Sequence, residues 1–229
     1  LSDLAYWVAI TIINTVLVYF VTVLLGLPKE FNSTLVMVMF LLSFVFYVPV
    51  NLIAKRLGKK LLLSVAFVWF IVVFVYAAFL GLYPMPAAAQ GFVVVVLAAI
   101  PLAIFGIVQN AIVADIAEAD GIASGDFKAG IFFGARTFMS KLGQTVAGLI
   151  IPSLLLLGAD LSKAGGVVGD LASGDAVTGA IGVRATAVTA AVFCAAGLAL
   201  FLLYDEKKVL KTLASRESLS PAEKTAAGL

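Results

Sequence analysis

The feature that most constrains this chain is a series of six long apolar segments, each of a length suited to crossing a lipid bilayer as a helix. A bilayer core about 30 Å thick requires roughly 20 helical residues, and helices satisfy every backbone hydrogen bond internally, as hydrocarbon demands. Barrel strands alternate polar and apolar residues, and these segments do not. We predict an all-α membrane bundle within residues 1–204, with spans at 4–27, 34–54, 61–82, 91–113, 129–157 and 183–204.

The composition excludes most other classes of protein. Of the 229 residues, 63% are hydrophobic and 12% are charged, whereas a soluble domain is about half apolar and a quarter charged. The 15 basic residues against 13 acidic ones are too balanced for electrostatic capture of nucleic acid. Because the chain has no histidine and a single cysteine, Cys194, a His/Cys metal site, a Cys–His nucleophile and an internal disulfide are excluded.

The positions of the basic residues predict the orientation in the membrane. Cationic side chains are concentrated in the link between the second and third spans and in the tail after the sixth: Lys55, Arg56, Lys59, Lys60, Lys207, Lys208, Lys211, Arg216 and Lys224. The positive-inside rule places these segments in the cytoplasm. We therefore expect a multi-pass protein of the cell membrane with both chain ends cytoplasmic, an external loop at 158–182 and a tail at 205–229 that is helical for a turn or two. We expect residues 114–128 to form an acidic cytoplasmic link.

The fifth predicted span carries a lysine near its middle. An ammonium at that depth costs about 2.5–3.5 kcal/mol on insertion scales, so such a residue normally faces the bundle interior or a wet cavity. Helical spacing places Thr137, Gln144 and Thr145 on the same face as Lys141, and Asn14 lies on a polar face of the first span. These five residues are our candidates for binding a polyhydroxylated or anionic solute. The structural alternatives are that Lys141 only pairs with a carboxylate or reaches the interface, and that Asn14 only bonds between helices.

A second set of charges lies nearer the predicted cytoplasmic side. We expect Arg136 to pair with a carboxylate at the end of the fourth span, and the basic link to join it in a cytoplasmic gate. The alternative is a static ion pair between helix ends. The candidate gate residues are Arg136, Asp115, Glu118, Asp120, Arg56 and Lys59.

Three segments of the sequence resemble a known family. The segments Asn110–Asp115 and Gly130–Gly143, together with the basic link Lys55–Lys60, resemble the tenth and eleventh helices and a cytoplasmic loop of the glycoside–pentoside–hexuronide:cation symporters. These form the melibiose-permease-like branch of the major facilitator superfamily. The resemblance implies that the six spans are the C-terminal half of a twelve-helix transporter whose partner is an N-terminal six-helix half.

The resemblance also implies roles for particular residues. Lys141 matches a lysine beside the sugar and cation sites, and Thr137 matches a threonine one turn earlier. Arg136 stands where melibiose permease has glutamine, so the substrate is expected to differ from melibiose. The coupling ion, Na⁺ or H⁺, is expected to bind mainly to the N-terminal half, and no other cofactor or metal is implied.

These observations predict cation-coupled symport of a sugar or glycoside-like solute across the lipid bilayer. The same branch resembles lysophospholipid carriers, so a carrier of amphiphiles is a second hypothesis. Other hypotheses are a six-helix homodimeric carrier or channel and a non-transporting membrane scaffold. Outside the acidic link, the sequence contains no nucleophile or acid–base cluster that would favour an enzyme, and a solvated helix end explains the acidic link.

Overall fold

The computed structural model describes residues 2–157 and 179–217, and all regular secondary structure in these ranges is helical. Helix α1, Ser2–Tyr19, continues into a π-helical turn, Phe20–Leu24. The others are α2 (Glu30–Leu57), α3 (Lys59–Ala78), α4 (Ala87–Ser124), α5 (Ala129–Leu155), α6 (Ala180–Leu202) and α7 (Glu206–Glu217). Six of these helices are long and apolar enough to cross a bilayer. The predicted all-α class with six spans is confirmed.

The main correction concerns α4, which has 38 residues and continues to Ser124. The segment that we predicted as an acidic link from residue 114 is therefore helical along most of its length. Its carboxylates lie on the surface of a helix that projects beyond the apolar span, and polar side chains on the outer face of a helix leave its backbone hydrogen bonds intact. The helix ends at Gly125, whose φ of 73° lies in the left-handed region that favours glycine.

Three other boundaries differ from the prediction. The basic link is helical except at Gly58, whose φ of 85° separates α2 from α3. Helix α7 has 12 residues and is longer than the turn or two that we predicted for the tail. Helix α6 begins at Ala180, within the predicted external loop. The remainder of that loop, 158–178, and the end of the tail, 218–229, lie outside the described residues.

The packing of the spans has an internal symmetry. Helix α1 packs against α5 and α6, α4 packs against α2 and α3, and α3 packs against α6. If α1, α2 and α3 are exchanged with α4, α5 and α6 in that order, the α1–α5 contact becomes the α4–α2 contact and the α1–α6 contact becomes the α4–α3 contact. The α3–α6 contact is unchanged. Because α1 and α4 cross in opposite directions, this is the pattern of two three-helix repeats of inverted orientation.

Aromatic rings fill the centre of the bundle. The Phe105 ring stacks on Tyr6 with 4.1 Å between ring centroids, meets Phe67 edge-on at 4.8 Å and lies 5.6 Å from Phe70. All four side chains are buried. These residues come from α1, α3 and α4, so the cluster ties the two repeats together.

Polar contacts mark one end of the bundle. There an ion pair joins the start of α1 to the first third of α5, and a lysine at the start of α3 donates a hydrogen bond to a carbonyl at the end of α6. We call this the basic end, since it carries the lysines of α3 and α7. The opposite end carries the α1–α2 and α3–α4 links.

Candidate functional site

A narrow polar stripe runs along one face of α5. Its members recur at intervals of three or four residues, so they lie one above another on the helix: Gly130, Gly134, Thr137, Lys141, Thr145 and Gly148. The three side chains are exposed. A Cβ atom built on any of the three glycines would have no neighbour within 4 Å. The stripe therefore faces open space rather than another described helix.

Lys141 lies near the middle of α5, between its first residue, Ala129, and its last, Leu155. Among the described residues its ammonium has neither an ion pair nor a hydrogen bond. The hydroxyls of Thr137 and Thr145 donate to the carbonyls of Phe133 and Lys141, both at 2.9 Å. The stripe therefore offers one unpaired cation flanked by hydroxyl oxygens that keep acceptor capacity.

The opposite face of α5 explains why the stripe points outward. Gly143 packs so closely on α1 that an added Cβ would lie 2.8 Å from both the Leu4 carbonyl oxygen and the Trp7 Cβ. Ser140 and Ala147 are buried on the same side. Gln144, another of our candidates, is half-buried at the edge of the stripe.

Asn14 does not join this group. Its side chain is exposed, and its amide donates to the Ile10 carbonyl at 2.8 Å. Since Trp7 of α1 lies level with Gly143, Asn14 is about 10 Å farther along the parallel helix, beyond the level of Lys141. The structure thus brings Lys141, Thr137 and Thr145 together and leaves Asn14 on a separate exposed patch with Thr15.

An apolar stripe lies beside the polar one on α5. Ile131, Phe138, Leu142 and Leu149 are all exposed. Helical geometry places them roughly 60–100° around the helix from Lys141. The exposed surface of α5 is therefore amphipathic.

The expected partner of Arg136 is corrected by the structure. Its guanidinium donates to Asn110 Oδ1 at 2.5 Å and to Gln109 Oε1 at 3.4 Å, and its Nε lies 3.5 Å from Asp3 Oδ1. Gln109 also donates to Asp3. Asp3, Gln109, Asn110 and Arg136 form what we call the Arg136 cluster. It joins the basic ends of α1, α4 and α5.

The other candidate gate carboxylates lie farther along α4. Asp115 pairs with Lys59, with 2.5 Å between Nζ and Oδ2. Glu118 and Asp120 are exposed, about 12 and 15 Å along the helix from Asn110. Arg56 is exposed at the end of α2. The predicted gate residues therefore do not form one group.

Sequence reasoning missed Glu206, the first residue of α7. Its Oε1 accepts hydrogen bonds from the backbone N–H groups of Lys59 at 2.8 Å and Lys60 at 3.1 Å, which caps the start of α3. The Lys60 ammonium donates in turn to the carbonyls of Leu202, at 2.9 Å, and Tyr204 at the end of α6. Lys59, Lys60, Asp115 and Glu206 form the basic-end cluster. The only sequence signal was an acidic residue at the start of a helical tail.

Comparison with known proteins supplies the family. The family model described as MFS/sugar transport protein matches residues 1–208. This chain belongs to that family. No curated protein and no solved structure matches it. The predicted major facilitator fold is confirmed, and the protein is a multi-pass membrane transporter rather than an enzyme. Its assignment to the melibiose-permease-like branch and to the C-terminal half stays a prediction.

The transporter also contains a cavity that the sequence did not predict. Its volume is about 480 Å³, and it lies at the basic end among α1, α4, α5 and α6. Asp3, Gln109 and Arg136 line it together with apolar side chains such as Ile112 and Phe201. The Arg136 cluster therefore borders a cavity inside the six-helix unit, whereas the polar stripe is on its exterior.

Tyr204 connects the end of α6 to the basic-end cluster of the transporter. Burial raises the pKa of Tyr204 to about 12, and the carboxylates of Glu206, Asp115 and Asp205 add to the rise. The neutral phenol is therefore the form that this junction favours. In the described parts of the chain, no group of three or more carboxylate or thiol side chains is placed to hold a metal ion.

Proposed function

We propose that this chain is the C-terminal six-helix half of a secondary active transporter that moves a sugar or glycoside-like solute by alternating access. Family membership supports transport. The observation that carries the proposal is the unpaired Lys141 on an exposed polar stripe. An ammonium group near the middle of the bilayer is stable only next to water, an anion or a polar ligand. An opposing six-helix half would enclose the stripe in a central cavity.

The chemistry of the stripe suits a polyhydroxylated solute. Threonine oxygens and the Gln144 amide accept or donate hydrogen bonds to hydroxyl groups, and the ammonium of Lys141 donates to them. The glycines on either side leave room for a ring close to the helix backbone. Coupling to a Na⁺ or H⁺ gradient is part of this proposal, with the ion held mainly by the N-terminal half.

We further propose that the basic end faces the cytoplasm, which puts the ends of this chain on that side of the cell membrane. The Arg136 and basic-end clusters connect helices within the six-helix unit. In this proposal they keep that unit rigid while it rocks against the other half, so that the cytoplasmic side opens and closes as the two bodies move.

The test is solute uptake into cells or proteoliposomes by the intact transporter carrying Lys141→Ala. We expect accumulation to be lost because the cavity loses its cation and a hydrogen-bond donor, while Lys141→Arg keeps part of the activity. Leu149→Ala, a change of an exposed residue in the adjacent apolar stripe, is the matched control and should transport normally. Normal accumulation by Lys141→Ala at normal expression would overturn the proposal.

One observation favours a second candidate, a carrier of lysophospholipid-like amphiphiles. The apolar stripe lies directly beside Lys141, so an amphiphile with an anionic head and an apolar tail would contact both stripes. Competition decides between the two: an excess of lysophospholipid inhibits uptake of labelled solute only if the amphiphile uses the same site.

A homodimer of six-helix chains would present the same stripe at its interface. The mass of the purified particle distinguishes this homodimer from a twelve-helix transporter.

A further inference from the structure

The two acidic residues at the start of α7, Asp205 and Glu206, each accept hydrogen bonds from backbone N–H groups. Glu206 accepts from the N–H groups of Lys59 and Lys60. Asp205 Oδ1 accepts from the Lys208 N–H at 3.2 Å, which caps α7 itself. Neither carboxylate forms an ion pair with a described lysine side chain of α7.

The outer face of α7 is basic. Its inner face packs on α4, where Val209 and Leu213 are half-buried. Lys207, Lys208 and Lys211 are exposed on the other side, and none of them forms an ion pair with another described residue. The helix therefore uses its apolar side within the protein, and its three exposed lysines have no ion-pair partner in the part of the chain that the structure describes.

The start of α7 lies at the level where the membrane spans end. Its first residue caps α3 at Lys59, and Lys60 of the same turn bonds the last carbonyls of α6. The exposed surface beside the lysines is partly apolar, because Leu203 is 82% and Leu210 48% exposed. Lysines next to exposed leucines at this depth match the boundary between lipid headgroups and acyl chains.

We propose that the outer face of α7 binds the headgroups of anionic phospholipids. Three unpaired ammonium groups complement a negatively charged bilayer surface, and each lysine near such a surface contributes roughly a fivefold preference for it. Leu203 and Leu210 enter the boundary between the lipid headgroups and the acyl chains. A soluble polyanion or an acidic protein surface would offer no such apolar layer. Because α7 is attached to α3, α4 and α6, lipid binding there also holds the basic end against the membrane.

The experiment uses the full chain with a fluorescent label on Leu210→Cys. The only native thiol, Cys194, is buried, so the label attaches to the introduced residue. The protein is reconstituted into two kinds of lipid disc, one of phosphatidylcholine and one rich in phosphatidylglycerol. Both kinds contain the same fraction of a lipid with a spin-labelled headgroup. Quenching of the label then reports contact with the headgroups, whichever way the protein crosses the membrane and whether or not it transports sugar.

We expect markedly stronger quenching in the anionic discs, and loss of that difference in a Lys207→Gln, Lys208→Gln, Lys211→Gln variant, whose preference should fall roughly a hundredfold. A label on Ala123→Cys, exposed at the far end of α4, should respond equally to both lipids. Equal quenching of the Leu210 label in the two kinds of disc would overturn the proposal, as would a difference that survives in the triple variant or appears equally at Ala123.

Discussion

At the scale of single residues, the ion pair between Asp3 and Arg136 is the contact whose removal is easiest to interpret. The two side chains are only 18% and 19% exposed, so neither charge is well solvated when its partner is lost. We predict that Asp3→Asn lowers the free energy of unfolding by about 2 kcal/mol, between the values for surface pairs and buried pairs. Chemical unfolding in detergent measures this loss.

The double variant Asp3→Asn, Arg136→Gln provides the control for that prediction. Because it removes the unpaired charge as well, it should be more stable than the sum of the two single changes implies, with a coupling energy of about 1–3 kcal/mol. If the losses in free energy of unfolding of the two single variants simply add up in the double variant, the coupling energy is zero and the prediction is contradicted.

The sequence identified which single residues are unusual but not which of them meet. Lys141 stood out because charge in the middle of an apolar span is costly, and its exposure in the structure follows from the close packing of Gly143 on α1. The partner of Arg136 was not predictable from spacing. Asp3 belongs to the first helix, and only the three-dimensional arrangement of α1, α4 and α5 brings it to Arg136.

At the scale of helices, the junction between α6 and α7 should be sensitive to alkali. The unfolded chain ionises tyrosine near pH 10, whereas the pKa of Tyr204 in the folded protein is about 12. The folded state keeps its proton where the unfolded state loses it, so this contribution to stability is complete below about pH 10 and is lost as the pH rises towards 12.

We therefore predict that Tyr204→Phe reduces the loss of stability between pH 10 and pH 12, because phenylalanine does not ionise. Thermal unfolding at a series of alkaline pH values measures the slope. Phe79→Leu, a change of an exposed residue without an ionisable group at the opposite end of the bundle, serves as the control and should keep the slope of the unchanged protein. Parallel slopes for Tyr204→Phe and the unchanged protein would contradict the prediction.

Helices were predictable from the sequence where lipid determines their composition and less so beyond the bilayer. Each of the six spans was found from its run of apolar residues. The continuation of α4 to Ser124 was missed because Asp115, Glu118 and Asp120 interrupt hydropathy without interrupting a helix. The capping role of Glu206 also depends on a tertiary contact, since the N–H groups that it accepts from belong to α3.

At the scale of the whole molecule, alternating access predicts that water reaches the polar stripe but not the apolar one. We predict that Thr137→Cys and Thr145→Cys in the intact transporter react with a membrane-impermeant maleimide, and that added substrate slows the reaction. Leu149→Cys should react much more slowly, because a lipid-facing thiol does not ionise readily.

Rates of modification in sealed, oriented vesicles measure this difference. If the threonine positions are as unreactive as Leu149→Cys from both sides of the membrane, the stripe does not line a wet pathway. The arrangement into two inverted three-helix repeats was not predicted from the sequence. Nothing in composition or spacing specifies which spans pack against each other.

The length of α4 has a mechanical consequence. About 27 Å of rigid helix separates Gly106, where α2 packs closely through the Tyr47 hydroxyl, from the tip at Ser124. A rotation of the whole six-helix unit by about 10° around the level of that contact would move the tip through about 5 Å. Helix α7 packs on this part of α4. A small rotation of the helices in the middle of the bilayer therefore becomes a displacement of α7 by several ångströms at the membrane surface.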